Sequence, residues 1–556
     1  MTANARTRVA IAALAILMFA WTFVYRFNTL GGRFGGFEND HFVSFAYSKQ
    51  VQAGAQPLRD FAGLGLQGAW PSLSFELPAA AQRLMGDDLR SEAVLTSSGV
   101  ALAAALTFLA AARLSNASWA LVAALLSVFI APTLYNYSKV LPFAAASLAL
   151  VSYVSRPTRW TVAAAAAVSA MAFLFRHDLA AYIGAGILAA TLLVGPWQVR
   201  RRHTAAYALL TLLLLAPSLI YVQSYVGIPQ YLLDGLALSQ REAERTPFLR
   251  WPTFAWPTSG EAARFFGDEA NATAWLFYAT WLLVPAALIL GARRTDRAAS
   301  QLWPAVVALA VTSLFAARFL LRGNITARLG DVGPLFACLL AYACHAATSA
   351  RAGDTLLWRT ARTVPVLLVL AVTAVSAGTV GSVSGQLRTG RLLGSWRDAW
   401  QHTQDVAREL QADPRAEVDA AREGDPLLLA QYLNRCTQPT DRVVLMVYRP
   451  ELLPFAQRLF GAGRLTMMPG YVLDEGYQRT AVAWWQREQA PVAVVEFEAF
   501  YDRANDAAPI VRDFLLEHYT EAGIADSREG RPLKLFLRRG LTPKSSFGAT
   551  GWPCLR

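Results

Sequence analysis

The chain has 556 residues, 54% of them hydrophobic and only 16% charged, with a net charge of +12 and a mean hydropathy of +0.31. Soluble domains carry about 25% charged residues, so this composition excludes an ordinary soluble protein and points to an integral membrane protein. The positive charge is read as Arg-rich cytoplasmic loops, and no nucleic-acid partner is expected, since no RNA- or DNA-binding signature is present.

A bilayer span needs about 20 mostly apolar residues. In chain order, eleven candidates occur, at 9–25, 92–112, 117–134, 139–155, 160–175, 178–198, 204–226, 272–291, 300–321, 331–349 and 362–384. The first, within AIAALAILMFAWTFVY, lacks a persuasive small-residue cleavage site and reads as a retained anchor. Ala-rich spans such as WTVAAAAAVSAMAFLF are weakly apolar but permit close helix packing.

Alternate loops carry the Lys/Arg bias that sets orientation. They hold Arg6 and Arg8, Arg113, Arg156 and Arg159, Arg200 to Arg202, Arg293, Arg294 and Arg297, and Arg351, Arg359 and Arg362. With eleven spans these loops share one side, the cytoplasmic one. The other side receives loops 26–91 and 227–271 and everything after about 385. The expected organisation is therefore a transmembrane domain over 1–384 and an extracytoplasmic domain over 385–556. In the latter, DRVVLMVY (441–448) and PVAVVEF (491–497) read as buried strands. ELLPFAQRLF, EGYQRTAVAWWQRE and IVRDFLLEHY read as helices, so a small α/β domain is expected.

Charges near spans are costly and mark function. Glu38, Asp40 and His41 follow span 1, in GFENDHF. Lys139 opens span 4, Arg176, His177 and Asp178 separate spans 5 and 6, and Arg318, Arg322, Arg328 and Asp331 lie between spans 9 and 10. By the expected topology all lie on the outer face. Taken singly, each cation has a plain reading as a snorkelling anchor, His177 as a ring bonded to Asp178 or a carbonyl, and Glu38 and Asp40 as acids at a helix N-terminus. Together, the mixture of signs has a chemical logic: carboxylates serve as general bases or metal ligands, and Arg, Lys and His hold phosphate.

The stretch ENDHFVSFAYSKQVQAGAQPLRDFAGLGLQGAWPSLSFELPAAAQRLMG resembles the first external loop of the GT-C glycosyltransferase superfamily. The likeness is to its bacterial protein-mannosyltransferase and aminoarabinose-transferase branch, which uses polyprenyl-phosphate sugars. The resemblance rests on Glu38 and Asp40, Gly54, Arg59-Asp60-Phe61 and Trp70-Pro71. RGNITARLGDVGP (322–334) is similar to an Arg-x-x-Asp element of some bacterial members, and YLNRCTQPTDRVVLMVYRPELLPFAQRLFGAGR to their external domain. The family often has an adjacent Asp-Glu pair, whereas this chain has Glu-Asn-Asp, which leaves the catalytic carboxylate open between Asp40, taken first, and Glu38.

The resemblance implies a polytopic α-helical fold with an extracytoplasmic α/β domain, seated in the bacterial inner membrane with its active site outside. It implies transfer, with inversion, of a sugar from a polyprenyl-phosphate donor to the hydroxyl of a glycan, lipid or protein acceptor, amid membrane lipids. Arg176, His177, Lys139 and Arg328, in that order, would hold the leaving phosphate, with Asp178, Asp331 and His41 in support. Asp60 reads as a turn residue, and Asp331 as a partner of Arg328. No cofactor is assigned. A divalent metal, Mg or Mn, is compatible with the superfamily, but one short acidic motif is not an assembled ligand set. An oxidising periplasm favours a disulfide between Cys436 and Cys554. Two rival readings stay open: an oligosaccharide ligase using a polyprenyl-diphosphate glycan, and a non-catalytic lipid-sugar-binding relative. A transporter is disfavoured by the absence of inverted repeats and of midplane charges.

Overall fold

The structure is a computed structural model. It describes the chain apart from residues 1–2, 31–36, 38, 63–70, 246–250, 256–261, 294–296, 322–324, 350–355, 413–417, 420, 422–426, 468–474, 497–507 and 526–531. Contacts divide it into two units: Met1–Gly32, Ala93–Pro217 and Thr246–Ala407 form one, and Arg33–Glu92, Ser218–Arg245 and Arg408–Arg556 the other.

The first unit is the membrane part. Among the described residues, eight helices are long and apolar enough to cross a bilayer: Arg6–Asn28, Leu89–Leu114, Leu134–Ser155, Trp197–Tyr225, Glu269–Ala292, Gln301–Leu321, Ile325–Thr348 and Thr363–Val380. Three shorter apolar helices, Ala117–Phe129, Arg159–Phe175 and His177–Leu193, occupy the positions of the other expected spans. The chain is thus a polytopic α-helical membrane protein.

Small residues let these helices approach closely, since in lipid packing, not water, drives association. At Gly186 an added Cβ would lie 2.0 Å from Thr312 Oγ1 and 2.8 Å from the Ala308 carbonyl, so only glycine fits this crossing. Helix Ile325–Thr348 is the centre of the unit, with 94% of its apolar window buried, whereas Trp197–Tyr225 is peripheral at 17%. The central helix also carries Arg328 and Asp331, so its N-terminal end is held by its neighbours.

The second unit is built on a mixed five-stranded sheet. Its strands are β1 (Arg442–Met446), β2 (Leu459–Phe460), β3 (Val492–Glu496), β4 (Tyr519–Ala525) and β5 (Leu533–Arg538), in the order β2-β1-β3-β5-β4. β1 runs parallel to both β2 and β3, while β5 pairs antiparallel with β3 and β4. The Val-rich runs expected as strands form β1 and β3, with Val443, Val444, Val492, Val494 and Val495 all buried. A separate hairpin joins β6 (Ser545–Phe547) to β7 (Trp552–Cys554).

Three element assignments differ from the sequence reading. ELLPFAQRLF is not one helix: it ends at Ala456, Gln457 turns left-handed at φ 53°, and Leu459 and Phe460 become β2. The helix Pro509–His518 stops one residue short of the expected tyrosine. Tyr519 opens β4 because its hydroxyl bonds the Ala490 carbonyl at 2.5 Å and receives Trp485 Nε1–H at 2.6 Å. The expected loop 227–271 contains the helix Ile228–Arg245.

The first long loop belongs to this unit. Its helices Asn39–Gln52 and Leu73–Met85 bring Tyr47 and Phe75 to ring contact at 4.9 Å. Tyr47 and Phe61 then meet Phe460 of β2 at 5.4 and 5.8 Å. Polar bonds fix the register: Gln50 Nε2–H donates to the Phe460 carbonyl at 2.8 Å, and Arg442 Nη1–H donates to Gln50 Oε1 at 2.8 Å.

Candidate active site

Glu38 lies outside the described residues. Asp40 sits in the first turn of helix Asn39–Gln52, where the free N–H groups favour a carboxylate. The Tyr448 hydroxyl donates to Asp40 Oδ1 at 2.6 Å, across 408 residues of chain. Tyr448 follows β1 by two residues, so it leaves the sheet at the carboxyl end of a parallel strand, the edge where α/β sheets place ligand-contacting groups. His41 is buried, with its ring 4.9 Å from that of Phe37. Phe42 meets Phe455 at 5.7 Å, which ties the acid-bearing helix to the helix after Tyr448.

Two further carboxylates of this unit have defined surroundings. Glu451 is half-buried with Arg449 Nη1 3.5 Å away, and burial pushes its carboxyl above the usual range despite that cation. Asp60 closes a turn: it accepts from Arg59 Nε–H and from the Gln56 N–H, each at 2.9 Å. Against partial burial, these bonds hold it below the ordinary carboxylate value.

The basic residues assemble in the membrane unit. Arg176 is an extended break, φ −162° and ψ 131°, between helices Arg159–Phe175 and His177–Leu193. Its guanidinium grips Asp178 through two bonds, at 3.1 and 2.9 Å, while Asp178 also accepts from the Leu179 N–H at 3.0 Å. Lys139 Nζ bonds Asp331 Oδ2 at 3.0 Å, with both side chains buried. Arg328 Nη1 lies 3.6 Å from the same oxygen and is one-third exposed. Phe319 joins the two groups: Lys139 Nζ and Arg176 Cζ lie 5.8 and 5.5 Å from its ring centre, within cation–π range. All five charges of this cluster were singled out in the sequence, Lys139, Arg176 and Arg328 for the leaving phosphate and Asp178 and Asp331 in support, with Asp331 also read as the partner of Arg328. His177 packs its ring 4.6 Å from that of Phe173.

Three cations against two carboxylates leave an excess positive charge here, which suits an anion. Sequence reasoning missed Phe319, which has no charge to betray it, and Tyr448, which stands too far along the chain for any spacing argument. Cys436 and Cys554 are joined as a disulfide. Among the described residues no three His, Cys, Asp or Glu side chains come together as metal ligands.

Solved structures resemble this fold. ArnT from Cupriavidus metallidurans, in the apo state, aligns with a TM-score of 0.50 and 14% identity, over 95% of this chain and 98% of that one. The Archaeoglobus fulgidus oligosaccharyltransferase tethered to an acceptor peptide aligns at 0.44 and 11% identity, over 94% of this chain and 74% of that one. The same protein in complex with Zn and sulfate aligns at 0.46 and 12%, over 94% and 72%. No protein-family model and no curated protein matches the chain. At 14% identity the likeness to ArnT is one of architecture. It extends over nearly the whole of both chains, so the protein shares that structure's fold, a polytopic helical membrane part with a C-terminal sheet-containing region.

Proposed function

We propose that the protein is an inverting glycosyltransferase that moves a sugar from a polyprenyl-phosphate carrier to an acceptor hydroxyl at the outer face of the bacterial inner membrane. The observation that carries this reading is Asp40, held by a tyrosine at the start of the helix that follows the first span, in a chain with the GT-C-like fold. Asp40 takes the acceptor proton as general base, a role worth about 10²–10⁴-fold in rate. The acceptor oxygen bonds the anomeric carbon, the bond from that carbon to the phosphate oxygen breaks, and the polyprenyl phosphate leaves with the electron pair. Charge on the leaving phosphate calls for fixed cations. Arg176 and Arg328, each about one-third exposed, suit that role. Lys139, buried on Asp331, suits support of the cluster, and His177 stands beside Arg176 as a further donor.

The test is sugar transfer by the purified protein in lipid nanodiscs, offered a panel of polyprenyl-phosphate monosaccharides, with Asp40→Asn and Glu38→Gln alongside. Consumption of one donor by the wild type, lost in Asp40→Asn with donor binding retained, supports the reading. Loss in Glu38→Gln alone moves the base to Glu38. Turnover of a polyprenyl-diphosphate glycan and of no monophosphate donor replaces the reading with a ligase.

A further inference from the structure

Asp40 and Tyr448 meet through a bond whose two ends are independently immobilised. On the acid side, helix Asn39–Gln52 is pinned by the Gln50 bond to the Phe460 carbonyl, by Arg442 on Gln50, and by Phe42 against Phe455. On the tyrosine side, β1 lies between β2 and β3. The backbone leading to Tyr448 is held further by the Met467 N–H on the Leu445 carbonyl at 2.8 Å and the Thr466 hydroxyl on the Val447 carbonyl at 2.9 Å. A phenol placed so firmly 2.6 Å from a carboxylate oxygen is a charge-assisted contact of preset geometry.

We infer that Tyr448, contributed by the C-terminal α/β region, is a positioning residue for Asp40. The inference rests on Asp40 being the base. With Oδ1 engaged by the Tyr448 O–H, the acceptor hydroxyl surrenders its proton to Oδ2. The acceptor oxygen then bonds the anomeric carbon as the phosphate departs. Tyr448 keeps its own proton throughout. It fixes the carboxylate rotamer that aims Oδ2, and orientation of a reacting group is a large part of catalytic power.

The experiment uses the full chain in nanodiscs and compares Tyr448→Phe, Asp40→Asn and Asp40→Ala with wild type. Tyr448→Phe keeps the ring and removes the donor. The expected result is a fall of about tenfold or more in kcat, with the donor KM within about twofold, because a bond to a charged group is lost while donor contacts stay. Packing alone would leave the kcat of Tyr448→Phe at the wild-type value, and that result overturns the inference while leaving the function standing. Full turnover by Asp40→Asn overturns the base assignment, and the positioning role with it. A thermal-unfolding cycle of Tyr448→Phe and Asp40→Ala reads the bond without any turnover. The double variant is expected to lose less than the sum of the singles, and strict additivity overturns the contact.

Discussion

Asp331 holds two cations on one carboxylate oxygen, Lys139 at 3.0 Å and Arg328 at 3.6 Å. With Lys139 and Asp331 both buried, loss of Asp331 leaves Lys139 without its counter-ion, and breaking such a pair typically costs about 3–5 kcal/mol. Asp331→Ala is therefore expected to lower thermal stability by that order. The double change Lys139→Met with Asp331→Leu should recover most of the loss, since two apolar side chains remove both desolvation penalties; melting curves in nanodiscs read both. The Arg328–Asp331 contact was legible from its three-residue spacing, whereas the Lys139 contact was not, because 192 residues separate the partners. Glu488 gives a pH dependence. Burial pushes its carboxyl up, outweighing Arg442 at 3.8 Å and the Ala462 and Gly463 N–H groups. The folded state thus binds the proton more tightly than the unfolded one, so this group's contribution is full below the unfolded carboxylate value and is lost as pH rises through the raised one. Glu488→Gln removes that loss. Relative to wild type, its melting temperature should rise as the buffer is moved from pH 4 to pH 8, and a parallel pair of curves would refute the assignment.

Elements show the same division between local and distant causes. β1 and β3 were legible because central strands buried on both faces read as continuous Val-rich runs. β4 was not: its residues after Tyr519 are largely exposed, and an edge strand with one open side has no apolar run to find. β2 spans two residues, too short for any pattern. The hairpin of β6 and β7 depends on covalent and backbone ties to a helix far upstream. Cys554 is bonded to Cys436 across 118 residues, the Leu555 N–H donates to the Cys436 carbonyl at 3.0 Å, and the Tyr432 hydroxyl donates to the Pro553 carbonyl at 2.7 Å. A cross-link closing so long a loop contributes about 4–5 kcal/mol in the chain-entropy model. Replacing both cysteines by serine should cost that order in stability, with the loss seen as earlier proteolysis of residues after 408 while the membrane helices persist. Equal protection with and without the bridge would show that the backbone ties alone suffice.

At the scale of the whole molecule, the membrane part was the most legible, because long apolar runs need only composition to announce them. Its sidedness rests on the basic loops, and a labelling experiment can read it directly. The native cysteines give a quiet background: Cys338 and Cys344 are buried on one helix, and Cys436 and Cys554 are bonded to each other. A single new cysteine is therefore the reactive thiol. Arg201 and Ser395 are both exposed, one at the basic N-terminal end of the seventh apolar helix, Trp197–Tyr225, and the other beyond the last. An odd number of crossings between the N-terminus and Ser395 puts the latter outside, and the Lys/Arg bias puts Arg201 inside. Ser395→Cys in intact spheroplasts should react with a membrane-impermeant maleimide, whereas Arg201→Cys should react only after permeabilisation. The reverse pattern would invert the chain in the membrane and place Asp40 and Tyr448 in the cytoplasm, away from any outer-face donor. Reaction at both positions from one side would mean that one of the five helices between them, from Trp197–Tyr225 to Thr363–Val380, fails to cross. The three short helices, of 13, 17 and 17 residues, reach only about 20–26 Å, less than a hydrocarbon core of about 30 Å, and all precede Arg201. Failure of one of them would also give the reverse pattern; it would put Asp40 and Tyr448 on opposite sides of the membrane, which their 2.6 Å bond forbids.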